Sequence, residues 1–177
     1  MRKEALAILT GAVVLLALGC GSEPEMIHVD WECDEGTYQL ALDREHWKVG
    51  ETDDGGMDFQ SLDHEDFAFS ASKWEDLSFG DGFNFEGYYE YFAEELKGQY
   101  PDAEETGMEV TTVQNMTIME MGVRFYILDT PYQITSTVVH AAECEDTLNF
   151  VFIYPIEGNE DLAAQFDGLV AGVSFKK

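Results

Sequence analysis

Between Thr52 and Asp66 the chain collects carboxylates: Asp53, Asp54, Asp58, Asp63 and Asp66, with His64 and Glu65 among them. Oxygen-rich stretches of this kind suit a hard cation such as calcium, which takes about six to eight oxygen ligands. The spacing does not follow an EF-hand loop, and a chain with 36 acidic residues produces such runs without any ligand. A divalent-cation site with calcium as cofactor and a plain solvated loop are thus the two readings of this segment. Catalytic chemistry finds less support. The four histidines (His28, His46, His64, His140) form no HExxH and no close pair, which removes the usual zinc-enzyme pattern. His140 falls on an apolar strand face, the usual place for a core histidine bonded to a neighbour. No Gly-x-Ser-x-Gly elbow, Gly-rich phosphate loop or dinucleotide fingerprint occurs. Paired carboxylates for glycoside hydrolysis are defined by their separation in space, which sequence does not supply. The chain is therefore read as a non-enzyme, with an enzyme of unrecognised type as the remaining alternative.

Cysteine usage points outside the cytoplasm. Met1-Arg2-Lys3 precedes an apolar run from Ala5 to Leu18, followed by Gly19-Cys20. Two cations before a short apolar stretch are the pattern of a secretion signal, and the run is shorter than the roughly 20 residues a bilayer span needs. Leu16-Ala17-Leu18-Gly19-Cys20 resembles a bacterial lipobox, with Ala17 where the pattern prefers Leu. That resemblance implies a signal peptide over 1–19, a lipidated Cys20, a tether over 20–25 and one domain over 26–177. It also implies an extracytoplasmic protein held to the membrane by acyl chains, at the outer membrane if the cell has two membranes. Cys33 and Cys144 remain, and an even pair in an exported domain suggests a disulfide, the alternatives being two buried thiols or a metal pair.

The charge is strongly one-sided: 9 Lys and Arg against 36 Asp and Glu, formally −27 at pH 7. Phosphate recognition needs a basic surface, so nucleic acid is excluded as a partner, and so is polybasic contact with anionic lipid. The partners left are the membrane through the Cys20 lipid and a protein or small ligand. Aromatic residues crowd positions 79–92, more than one helical stripe uses. Phe79, Phe83 and Tyr91 are the surplus that an exposed docking patch would need.

The elements that position these residues follow from periodicity. Ile27, Val29, Trp31 and Cys33 alternate with polar residues as a half-buried strand, and Tyr38, Leu40 and Leu42 form its hairpin partner across Asp34-Glu35-Gly36. Gly50 to Gly56 reads as an acidic loop, Asp58–Leu62 and Phe67–Trp74 as strands, and 75–84 as loop. Phe85, Tyr88, Tyr89, Phe92 and Leu96 recur at spacings of three and four, which predicts an amphipathic helix closed by Pro101-Asp102. From Met108 the pattern returns to strands. Met119, Met121, Val123, Phe125 and Ile127 share one face of a long strand, with a turn at Asp129-Thr130-Pro131. Ile134, Ser136, Val138, His140, Ala142 and Cys144 share a face of the next. Leu148, Phe150, Phe152 and Tyr154, with Val151 and Ile153 opposite, describe a central strand covered on both sides. A last helix carries Leu162, Phe166, Leu169, Val170 and Val173. Strands, helix, strands, helix is the order of an α+β domain: an antiparallel sheet with two helices packed on it.

Three segments resemble the PsbP-like fold of an extrinsic photosystem II subunit and of many small bacterial lipoproteins. They are Tyr38-Gln39-Leu40-Ala41-Leu42 followed by His46-Trp47, then Phe85 and Tyr88-Tyr89 ahead of the hairpin through Val123-Arg124-Phe125-Tyr126, and the ending Gln165-Phe166-Asp167-Gly168-Leu169-Val170 with Ser174-Phe175. Asp43-Arg44-Glu45 stands where that fold often has a proline before the early Trp. The resemblance implies an α/β/α sandwich and proteins that serve as assembly factors or binders. It does not imply one activity.

Overall fold

A computed structural model describes residues 24–53, 55–74, 84–113 and 115–177. The N-terminal signal segment, Cys20, Asp54 and the stretch holding Phe79 and Phe83 lie outside the described residues. Ten strands and two helices follow one another as β1 (Met26–Cys33), β2 (Gly36–Asp43), β3 (Trp47–Glu51), β4 (Met57–Ser61), β5 (Ala68–Trp74), α1 (Phe85–Gln99), β6 (Glu104–Val113), β7 (Met116–Ile127), β8 (Thr130–Ala141), β9 (Thr147–Pro155), α2 (Leu162–Val170) and β10 (Ser174–Lys176).

All pairings are antiparallel, and they sort the strands into two sheets, ordered β1-β2-β10 and β3-β4-β5-β9-β8-β7-β6. The α+β class expected from element order is the class found. Element order did not reveal that the first hairpin and the last short strand leave the main sheet. They form a separate layer because the β1–β2 hairpin has one apolar face to bury. Val29, Trp31, Tyr38, Leu40 and Leu42 pack it against Phe59, Phe69 and Phe150 of the large sheet. Ring contacts carry much of this interface, with Trp31 edge-on to Phe150 at 6.0 Å and tilted against Phe59 at 6.4 Å. α2 shares the layer. Leu162, Phe166 and Val170 recur every four residues, so one stripe faces the sheet, and Phe166 lies 5.0 Å from Phe152. Val173, expected in the helical stripe, is buried just beyond the helix end.

On the opposite face of the large sheet, α1 covers β7 and part of β8 and reaches Glu105 near the start of β6. Asn84 caps it by accepting the Gly87 N–H at 3.1 Å, and Pro101 stops it one residue after Tyr100. Tyr88 packs on Met119, Met121 and Val138, and Leu96 on Val123 and Phe125. Under the helix Ser136 donates to Asn149 Oδ1 at 2.7 Å, so these buried polar groups are partnered. Tyr89 donates to Glu105 at 2.6 Å, and Lys97 pairs with the same carboxylate. The Lys97 bond first, then the Tyr89 bond, holds the Glu105 carboxyl below its usual range.

The sequence-expected disulfide is present. Cys33 at the end of β1 is bonded to Cys144 in the β8–β9 loop, joining the two sheets. Tyr38 stands beside it with no exposed surface. Its hydroxyl accepts the Ala141 N–H at 2.8 Å and donates to the Asp146 carbonyl at 2.9 Å. Burial is the main reason its phenol is pushed up to about 12.

The β7–β8 hairpin turns on Leu128 and Asp129, flanked by the pair Ile127 and Thr130, with φ of 47° and 69°. Two consecutive positive φ angles make a type I′ turn, which favours Asn-Gly. Leu128 is 95% exposed there, so no packing offsets its backbone conformation. Replacing the pair by Leu128→Asn and Asp129→Gly is expected to raise stability by about 1 kcal/mol. A denaturant midpoint that falls instead would contradict that turn assignment.

Candidate functional site

Strand alternation gives the large sheet two faces. On β4, Phe59 points into the core while Asp58 and Gln60 point away, and the same split places Lys48 and Gly50 of β3 and Ser70 of β5 beside them. Val151 and Ile153 of β9 continue this outer face. α1 lies over the other half of the sheet, so these residues border a groove of about 510 Å³ next to the helix. Its floor is mixed. Lys48, Asp58, Gln60 and Ser70 supply hydrogen-bonding groups, and Ile153, 48% exposed, supplies an apolar wall. Sequence reading placed Ile153 on a covered face. In the structure β9 is central, fourth in a sheet of seven, but its outer face is covered only as far as Val151, which packs with the α1 cluster.

The acidic run of residues 53–66 does not come together as one cluster. Asp53 lies in the β3–β4 turn and Asp58 near the start of β4, whereas Asp63 and Asp66 lie in the loop after it. A five-residue strand is about 16 Å long, so the two groups sit at opposite ends of β4. Each of the later pair has a protein partner: Asp63 meets His46 Nδ1 at 2.6 Å, and Asp66 accepts from Asn159 at 3.4 Å. Among the described residues the one group of three cysteine, histidine or acidic side chains with convergent ligand atoms is Cys33, Glu35 and Cys144, and its sulfurs are spent on each other. His140 is half-buried, and burial pulls its imidazole below the ordinary value, so it stays neutral as a core residue does. Of the three surplus aromatics, Tyr91 projects from α1 and is 55% exposed. No helix among the described residues is long and apolar enough to cross a membrane.

The architecture is that of a PsbP-like fold. No protein-family model matches the chain, and no curated protein matches its sequence. Similarity appears at the level of structure. Cyanobacterial PsbP (CyanoP) from Synechocystis sp. PCC 6803 superposes with a TM-score of 0.65 over 89% of this chain and 98% of that one, at 13% identity. LpqN, involved in cell envelope biogenesis of Mycobacterium tuberculosis, gives 0.55 over 86% of this chain and 92% of that one, at 13% identity. The Ran-binding protein Mog1p of Saccharomyces cerevisiae gives 0.51 over 85% and 96%, at 11% identity. These likenesses establish the fold and carry no residue roles with them.

Proposed function

We propose that the chain is an exported, lipid-anchored, non-enzymatic binding module that takes a protein partner in the groove beside α1. The observation that carries this reading is the outer face of β3, β4, β5 and β9, which ends beside α1 as a concavity with apolar walls and polar groups. Binding sites combine those two features, the apolar wall supplying affinity and the polar groups orientation. Lys48, Asp58, Gln60 and Ser70 on its floor are hydrogen-bonding groups suited to orienting a bound partner. Anchoring at Cys20 is supported by the Arg2-Lys3 start, the short apolar run and the Gly19-Cys20 junction, and the Cys33–Cys144 bond fits an oxidising compartment. The solved relatives agree in kind, since one is described as Ran-binding and another as involved in cell envelope biogenesis.

The reading is tested by placing a photoreactive amino acid at Ile153 or, as a control, at the exposed Glu94 of α1 in cells carrying the full chain. A discrete crosslinked species from position 153 alone is expected, in the membrane fraction. With Cys20→Ala added, the chain should leave that fraction. Equal crosslinking from both positions, or none, would overturn the groove reading. Membrane retention of the Cys20→Ala chain would overturn the anchor.

A further inference from the structure

A second cavity lies on the opposite face of the large sheet, between its β6–β8 edge and the end of α2. Glu109, Glu120 and Thr137 are direct neighbours across β6, β7 and β8, so their side chains form a row on one face. Asp167 of α2 comes down on that row, and its carboxyl lies beside that of Glu120 in the cavity wall. Together with Val113, Ile118 and Val170 they enclose about 290 Å³.

Three features make this more than an acidic patch. Thr137 is only 3% exposed, lines the cavity, and its Oγ1 has no hydrogen-bond partner among the described residues. A buried hydroxyl without a partner is costly and uncommon in a native fold. Asp167 stands in the last turn of α2, where no basic residue occurs and where the helix dipole favours a cation. Neither Glu120 nor Asp167 has a cationic partner among the described residues. Their carboxyls are both raised, first by burial, Glu120 next by the charge of Asp167, and both by that of Glu109. Tyr154 of β9 faces the same group and is raised by burial and by both acids, while Arg124 draws it the other way. The titratable residues lining the cavity are Glu109, Glu120 and Asp167, all acids.

The convergent ligand atoms of a bare metal cage are absent here, because the three carboxylates do not form a cluster of that tightness. Half the wall is aliphatic. We propose that this cavity binds a primary alkylammonium ion, with its N–H groups on Glu120, Asp167 and Thr137 Oγ1 and its carbon chain against Ile118, Val113 and Val170. An ammonium offers three donors and no acceptor, and the site offers acceptors on three elements. Glu109, exposed on the edge strand, adds charge at the mouth. Quaternary ammonium lacks the N–H groups and is rejected. Because Glu120 and Asp167 hold a proton above the ordinary range, affinity strengthens as pH rises through that range. It is lost again as the amine itself deprotonates, near a pH of about 10.

The test titrates n-butylammonium chloride into the full chain by calorimetry at constant ionic strength, with tetramethylammonium and calcium chloride as comparisons. Saturable one-to-one binding of n-butylammonium is expected, weakened at least about tenfold by Glu120→Gln and by Asp167→Asn, as loss of a charge-assisted hydrogen bond implies. Thr137→Val should weaken binding while leaving the melting temperature unchanged or higher, since it removes an unpartnered hydroxyl. A merely structural Thr137 would show the reverse. Absence of saturable heat, equal binding of tetramethylammonium, indifference to both carboxylate variants, or calcium binding that excludes the amine would each overturn the assignment.

Discussion

Loss of the Cys33–Cys144 bridge is expected to cost about 4–5 kcal/mol of stability, the loop-closure value for cysteines 111 residues apart. The reason lies in the unfolded chain. Without the bridge, β1 and the β8–β9 loop are free to separate by most of the domain, and that entropy must be removed again on folding. In the folded state the same region is held independently. Tyr38 bonds both Ala141 and Asp146, and Lys73 bonds the Glu32 carbonyl at 2.9 Å and Asp146 at 3.0 Å. The native structure should therefore survive the cut, only less stably. A Cys33→Ala, Cys144→Ala chain should melt about 8–20 °C lower than the oxidised parent, given about 2–4 °C per kcal/mol for a chain of this size. Dithiothreitol on the parent should reproduce the shift. A change below about 1 kcal/mol in the urea midpoint would show that the unfolded chain keeps these segments together.

Adjacent residues on β9 should behave oppositely. Phe152 has no exposed surface and touches Phe67 at 5.2 Å, Tyr154 at 4.5 Å and Phe166 of α2 at 5.0 Å. Phe152→Ala leaves a hole where α2 meets the sheet, and a cost of about 3–5 kcal/mol is expected. Ile153, one residue on, points to the other face and is 48% exposed, so Ile153→Ala should stay within about 0.5 kcal/mol. Equilibrium denaturation of the two single variants reads the difference directly. Similar losses for both would mean that the outer face of β9 is covered after all. The Ile153 variant then serves the crosslinking experiment too, because a partner lost without a loss of stability locates the groove.

What could be read from residues alone depended on burial. β7, β8 and β9 are legible because their buried positions form long apolar runs, on both faces for β8 and for much of β9, and α1 and α2 show stripes because one face of each is packed. β3 was missed: Trp47-Lys48-Val49-Gly50-Glu51 has two apolar residues, a glycine and an acidic continuation, and it is an edge strand. β6 begins at Glu104, four residues before the expected Met108, because every residue of it is exposed and no alternation is imposed. Periodicity assigns faces but not neighbours, so the departure of β1, β2 and β10 into their own sheet left no mark. The carboxyl cavity was equally hidden. Glu109, Glu120 and Asp167 come from three elements, and among 36 acidic residues none of them is unusual until the register sets them side by side. The acidic run of 53–66 shows the converse, being close in sequence and divided in space by β4.

The exposure of β6 governs how copies of this chain meet one another at high local concentration. A free strand edge invites another strand to add to it, and polymerisation by that route needs a flat, uncharged rim. Here the rim carries Glu104, Glu105 and Glu109 and is broken by a bulge at Gly107 with φ of 121°. Two neighbours meeting edge to edge would press like charges together along a bent backbone, so the sheet's seventh strand is also its last.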